Sequence, residues 1–295
     1  MNTRTLAIAE FFKLRKRMMT WILALLLVGI VVLLYSVLWS VSGRGSTFGD
    51  RGHKFTATEL RQALFLQASV PFALQLVSMF GTLFAVIIAS AAVGSEYGWG
   101  TVRSTATLAS SRVRMLSARL IVVCIVVAAG TLLAVAVGLA YSTIIMSVTG
   151  NMDASFITGA FVWHQVASYG RTLFALAPFV AIAFAAAVVG RSTLAGVGAG
   201  LGVSFLEPII SSLMRAGGDP WKDIPNYLPS ANKQIIMLQN SLPEVLRIGP
   251  GSDLEGTPVN SVLEASIILS VYIVVAITIA FVVFRRRDIT SGAGG

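Results

Sequence analysis

Cysteine, histidine and charge are all scarce in this chain, and each shortage excludes a class of function. Cys124 is the single cysteine among 295 residues, so neither an internal disulfide nor a cysteine-based metal cluster is available. It falls inside a long apolar run, where the expectation is a small core residue. The two histidines, His53 and His164, sit in segments read as lying outside the apolar runs. A serine hydrolase or metalloprotease working at membrane depth needs histidine beside its nucleophile or metal, so that class is set aside. There is no G-x-x-x-x-G-K-[ST] phosphate loop and no soluble stretch long enough for an ATPase domain. Charged residues make up 12% of the chain, against about 25% in ordinary globular proteins.

What is present instead is apolar length. The hydrophobic fraction is 56% and the mean hydropathy +0.81. Apolar stretches lie at 21–42, 70–93, 118–148, 172–190, 193–214 and 265–284. A crossing needs about 20 apolar residues, so the pattern predicts an all-α integral membrane protein of six spans in a single domain covering 1–295. Only Arg191 and Ser192 interrupt the fourth and fifth spans, which reads as a tight hairpin. With the N-terminus inside, the inner segments hold 13 of the 22 basic residues and, as acids, Glu10, Glu96 and Asp288. That asymmetry predicts both termini on the cytoplasmic side. The net charge of +9 then reads as topology and contact with anionic lipid, not as a nucleic-acid surface. The first apolar run is too long for the h-region of a cleaved signal peptide.

Ahead of the first span, Ala7, Phe11, Leu14, Met18 and Trp21 recur at helical spacing, with Glu10, Lys13, Lys16 and Arg17 on other faces. Residues 3–19 therefore read as an amphipathic elbow helix lying in the interface. Pro71, Gln75 and Ser78 in the second span predict a half that faces protein or a cavity. The outer segment 215–262 combines many prolines and glycines with Trp221, Ile224, Tyr227, Leu228 and Ile235. Short helices dipping into the outer leaflet reconcile the two features. Gly196, Gly198, Gly200 and Gly202 form overlapping G-x-x-x-G patterns, which predict close helix packing, most simply within the chain.

Two features invite a functional reading. The loop 94–117 opens with Gly94, Gly98 and Gly100, read as breaking the second span, and Thr101 to Ala109 fit a short helix parallel to the membrane. Glu96 and Arg103 are placed to pair across the turn or to bind a partner. Glu207, followed by Pro208, is an acid within a span, costing about 2.5–3.5 kcal/mol at mid-helix on insertion scales. With Gln75 it is a candidate for a translocation path. The alternative is a structural role near the outer interface, about 24 Å along the helix from Arg191.

Glu96-Tyr97-x-x-Gly100-Thr101-x-Arg103, followed by Ser111-Arg112 and Ala118-Arg119-Leu120, resembles the signature loop of type-2 ABC transporter permeases of the bacterial drug and antibiotic exporter branch. The family's usual lysine before the third span is Arg119 here, which keeps the charge. Glu10 with Lys13-Leu14 resembles the family's start, Tyr227-Leu228-Pro229-Ser230 its outer element, and Phe284-Arg285-Arg286-Arg287-Asp288 its exit from the last span. The resemblance implies a non-catalytic permease in the bacterial inner membrane, with an elbow helix, a cytoplasmic coupling helix and an outer re-entrant hairpin. It implies docking of two ABC ATPase subunits through Glu96, Tyr97, Gly100, Thr101, Arg103 and Arg112, and pairing with a second copy or a sister permease. No cofactor is expected in this chain, with ATP and Mg on the ATPase partner. An ATP-independent channel or secondary transporter, and a non-transporting scaffold, are the competing readings.

Overall fold

The computed structural model describes residues 3–43, 57–98, 112–150, 155–243 and 260–286, and among these there is helix but no strand. In chain order come α1 (Thr3–Lys16), α2 (Met18–Ser42), α3 (Ala57–Ala63) and α4 (Leu66–Leu76). A π-helical turn, Val77–Gly81, leads from α4 into α5 (Thr82–Gly98), and α6 (Arg112–Thr149) and α7 (Gly159–Gly190) follow. Next are α8 (Thr193–Leu201), a second π-helical turn (Gly202–Leu206) and α9 (Glu207–Ala216). A 3-10 turn (Ile224–Tyr227), α10 (Pro229–Leu238) and α11 (Val262–Arg286) complete the described elements. Among the described residues, six helical stretches are long and apolar enough to cross a membrane: Met18–Ser42, Leu66–Tyr97, Val113–Thr149, Gly159–Gly190, Thr193–Ala216 and Val262–Arg286.

The helices overrun the apolar stretches that announced them. The fourth span begins at Gly159, not near 172, because the Thr158 hydroxyl accepts from the Phe161 N–H and starts the helix among less apolar residues. Helix α6 has 38 residues and rises about 57 Å, well past a hydrocarbon core of about 30 Å. The first helix ends at Lys16, short of residue 19, where Arg17 turns extended and the Thr20 hydroxyl donates to the Leu14 carbonyl across the bend. Gly94 does not break the second span; α5 runs through it and ends at Gly98. Cys124 is exposed on α6 and is not a core residue. The segment 99–111, and with it the expected helix 101–109, lies outside the described residues, as do residues 44–56 and 244–259.

Spans two and four form the middle of the bundle, with 72% and 61% of their apolar stretches buried, against 17–28% in the other four. One core cluster joins Val86, Val93, Leu116, Phe179, Phe184 and Ala280. A second gathers Leu27, Tyr35, Phe72, Leu76 and Leu176. Where every neighbour is as apolar as lipid, small residues decide which helices touch. A Cβ on Gly94 would lie 2.2 Å from the Thr193 backbone nitrogen, so this glycine admits the start of α8 against α5. Gly196 and Gly200 are buried against Ser90, Val86, Ala183 and Ala187, while Cβ atoms on Gly198 and Gly202 would meet nothing within 4 Å. The glycine stripe thus packs one face against this chain's own second and fourth spans. The reversal between α7 and α8 is as tight as the sequence implied: Arg191 is left-handed at φ 51° and the Ser192 hydroxyl caps the Leu194 N–H.

Candidate functional site

Several helix ends gather on one face of the bundle. Gly94 meets Thr193, and Val93, Met115 and Phe284 share a core cluster. Five ionisable side chains converge there: Glu10 and Lys13 of α1, Arg17 at the bend, Glu96 near the end of α5, and Arg119 in α6. Lys13 Nζ lies 3.2 Å from Glu10 Oε1 and 3.2 Å from Glu96 Oε1. Arg119 Nη2 donates to Glu96 Oε2, and its Nε lies 3.5 Å from Glu10 Oε1. Arg17 Nη1 donates to the Ala91 carbonyl at 3.0 Å. Burial holds the Arg17 guanidinium below its ordinary value, opposed by the charges of Glu96 and Glu10.

The arrangement follows from where the helices end. A charge among apolar helices is tolerated when it is paired. Glu96 stands on the last turn of α5 and Arg119 two turns into α6, on the two flanks of the segment 99–111. Their side chains are 4% and 1% exposed, whereas Lys13 is 42% exposed. The Glu96–Arg119 pair is therefore the dry centre of the cluster and Lys13 its wet rim. Arg119 Nε and Nη1 have no hydrogen-bond partner among the described residues. Leu14 is buried beside the cluster and Tyr97 packs against the main core, so both brace the helix ends.

Of the residues singled out in the loop, Glu96 faces inward and is 3% exposed overall. It joins helices and does not project from the surface. Arg112 opens α6. Gly100, Thr101 and Arg103 lie outside the described residues. Arg119 and Arg17 were legible as charges, but their convergence on one acid was not.

A second polar layer lies toward the opposite face. Leu228, at the N-terminus of α10, has no side chain to cap it, and Pro229 takes the first helical position. Glu207 reaches across from α9 and its Oε1 accepts from the Ser230 N–H at 2.7 Å. The carboxylate thus satisfies a free helix-terminal donor and complements the helix dipole. Glu207 Oε2 is buried without a hydrogen bond among the described residues. Three residues further on, Lys233 Nζ donates to the Ser78 carbonyl at 2.6 Å and to Thr82 Oγ1 at 2.9 Å, and stands 5.0 Å from the centre of the Phe179 ring. Gln75 is half-buried one turn before Ser78. Helix α10 therefore bridges the second and fifth spans, with one ionic side chain serving each.

The Tyr227-Leu228-Pro229 element forms the turn entering this helix. The Tyr227 carbonyl accepts from Tyr272 at 3.3 Å, and the Leu228 carbonyl from Asn232 Nδ2 at 2.8 Å. Asn232 and Lys233 are residues the sequence reading missed. Their signal was available: the run Asn232-Lys233-Gln234 sets two amides and a single cation inside a short helix that ends in Ile235-Ile236-Met237-Leu238. No group of three or more potential metal ligands occurs among the described residues.

Six apolar helices packed around two buried ionic layers define a multi-pass, all-helical membrane protein. Residues 26–290 match the model of DUF2705, described as a protein of unknown function, and the chain belongs to that family. No curated protein matches it.

Proposed function

We propose that this chain is the permease subunit of an ATP-driven ABC exporter in a bacterial cytoplasmic membrane, with both termini cytoplasmic. One observation carries the reading: the Glu10–Lys13–Glu96–Arg119 cluster ties α1 to both flanks of the 99–111 segment. A force applied to that segment by a soluble motor would reach the first, second and third spans together. The signature motif supports it by coinciding with the cluster at Glu96 and Arg119.

In this reading the first helix is the elbow, 94–117 carries the coupling helix, and 215–262 forms the outer re-entrant hairpin. Gly100, Thr101, Arg103 and Arg112 face two ATPase subunits, which bind ATP and Mg. A second copy or a sister permease completes the translocation path, and the chain itself catalyses nothing. ATP shifts the permease only if its two states contact the motors differently, so the cluster serves as a rigid transmitter, not as a binding site. The bond from Glu207 to α10 favours a structural role for that acid over a place on the path.

The test is reconstitution of the complex with its ATPase in proteoliposomes. Gly100→Pro and Arg103→Glu are expected to keep the complex assembled while uncoupling ATP hydrolysis from the permease. An ATPase rate indifferent to both changes, or transport that proceeds without ATP, would overturn the proposal. The second outcome would favour a channel or secondary transporter, and a complex that assembles but moves nothing would favour a scaffold.

A further inference from the structure

The first helix, the first three spans and the edge of the fourth enclose a groove of about 470 Å³ that neither ionic layer uses. Arg15 and Trp21 stand at its mouth, and Leu27, Phe84, Gly130 and Leu176 lie along its wall. Its volume falls within the range of about 300–1,000 Å³ usual for ligand pockets. Along the second span the lining runs from Ile88 to Val77, about 16 Å at the helical rise. That is close to half of a hydrocarbon core of about 30 Å, the depth of one leaflet.

The chemistry of the lining is specific. Two hydroxyls reach it, and both are engaged: Thr20 Oγ1 donates to Leu14 and Thr131 Oγ1 to Val127. The Trp21 indole N–H donates to the Arg15 carbonyl at 2.8 Å. The described side chains along the wall thus offer no free donor, so an occupant's polar acceptors would lose their hydration uncompensated. At the mouth the balance reverses. Lys13 is paired and Arg17 is bonded to Ala91, but the Arg15 guanidinium has no ion pair or hydrogen bond among the described residues. The groove is thus an apolar shaft one leaflet deep with one free cation at its interfacial end.

We propose that it seats one acyl chain of an anionic glycerophospholipid of the adjoining leaflet, with the phosphate group held by Arg15. The proposal needs the six spans to lie in a bilayer and does not depend on the exporter reading. Bound there, the lipid wedges α1 and α2 away from the second and third spans and so sets the spacing beside the ion cluster.

The experiment uses the full chain in nanodiscs, with Trp21 as the only tryptophan after the other four of the five are changed to Phe. Phosphatidylglycerol and phosphatidylcholine carrying brominated acyl chains are the quenchers. Half-maximal quenching is expected at about fivefold lower mole fraction of phosphatidylglycerol, the worth of one cation–headgroup contact. Arg15→Gln should abolish that preference. Gly130→Leu should reduce quenching by both lipids, because Gly130 lines the groove and a Cβ there would meet nothing within 4 Å, so the side chain takes up groove space. Should the tryptophan variant not fold, native mass spectrometry of the unaltered chain replaces it, with Arg15→Gln expected to lose one retained phosphatidylglycerol. Equal quenching by the two headgroups, or an unchanged lipid count in Arg15→Gln, would overturn the proposal. Displacement of the lipid by free fatty acid at equal concentration would do the same.

Discussion

Changing Glu96 to Gln keeps the shape of the side chain and removes the charge at the centre of the cluster. Lys13 and Arg119 each lose an ion-pair partner, but unequally. Lys13 is 42% exposed, so water takes over its hydration and its pair contributes at most about 1 kcal/mol. Arg119 is 1% exposed and retains Glu10 alone, at 3.5 Å. Breaking a buried pair from one side costs about 3–5 kcal/mol, and the remaining carboxylate places this case near 3. At about 2–4 °C per kcal/mol for a chain of this size, the apparent Tm should fall by about 6–12 °C. Adding Arg119→Met to Glu96→Gln removes the stranded guanidinium and should recover most of the loss, since a neutral pair of similar volume is often tolerated. The assay is thermal unfolding in nanodiscs for the wild type, both single variants and the double variant. A coupling energy of at least about 1.5 kcal/mol is expected between the two sites. Strictly additive losses, or a Glu96→Gln shift below about 2 °C, would show that the pair does not hold the helices together.

Other consequences are as direct. Gly94→Ala should destabilise by about 1–3 kcal/mol, because the new Cβ falls on the Thr193 backbone, whereas Gly198→Ala should be neutral or stabilising; melting curves of the two distinguish them. Glu207→Gln keeps an acceptor for the Ser230 N–H and should retain near wild-type stability, while Glu207→Leu should lose about 1.5–3 kcal/mol, read in the same melts. Transport lost in Glu207→Gln with stability and assembly intact would return that residue to the path. For orientation, Ser291→Cys in a Cys124→Ser background should react with a membrane-impermeant maleimide only after the cells are opened; labelling of intact cells would place the C-terminus outside.

Apolar length was legible directly. Six stretches near or above the length of a bilayer core became six helices, because in lipid the backbone must satisfy itself along its own axis. Helix ends were less legible: α7 begins 13 residues before its apolar run, held by the Thr158 cap, which hydropathy does not register. Glycine was ambiguous for a related reason. At Gly94 the residue that looked like a helix breaker is a contact point, since the absence of a Cβ serves either purpose and only the neighbour at Thr193 decides which. The motif residues Glu10, Glu96 and Arg119 were visible as charges, but one-dimensional spacing does not say that residues 10, 96 and 119 share a site. Desolvation decided that. Once the ends of three helices were packed together, the only inexpensive places for their charges were against one another. Lys233 was hidden in the same way, as a cation whose carbonyl and hydroxyl partners sit some 150 positions earlier in the chain. Composition and length thus specified the solvent and the number of crossings, whereas the burial of a few charges between helices distant in sequence, which only packing creates, made the sites.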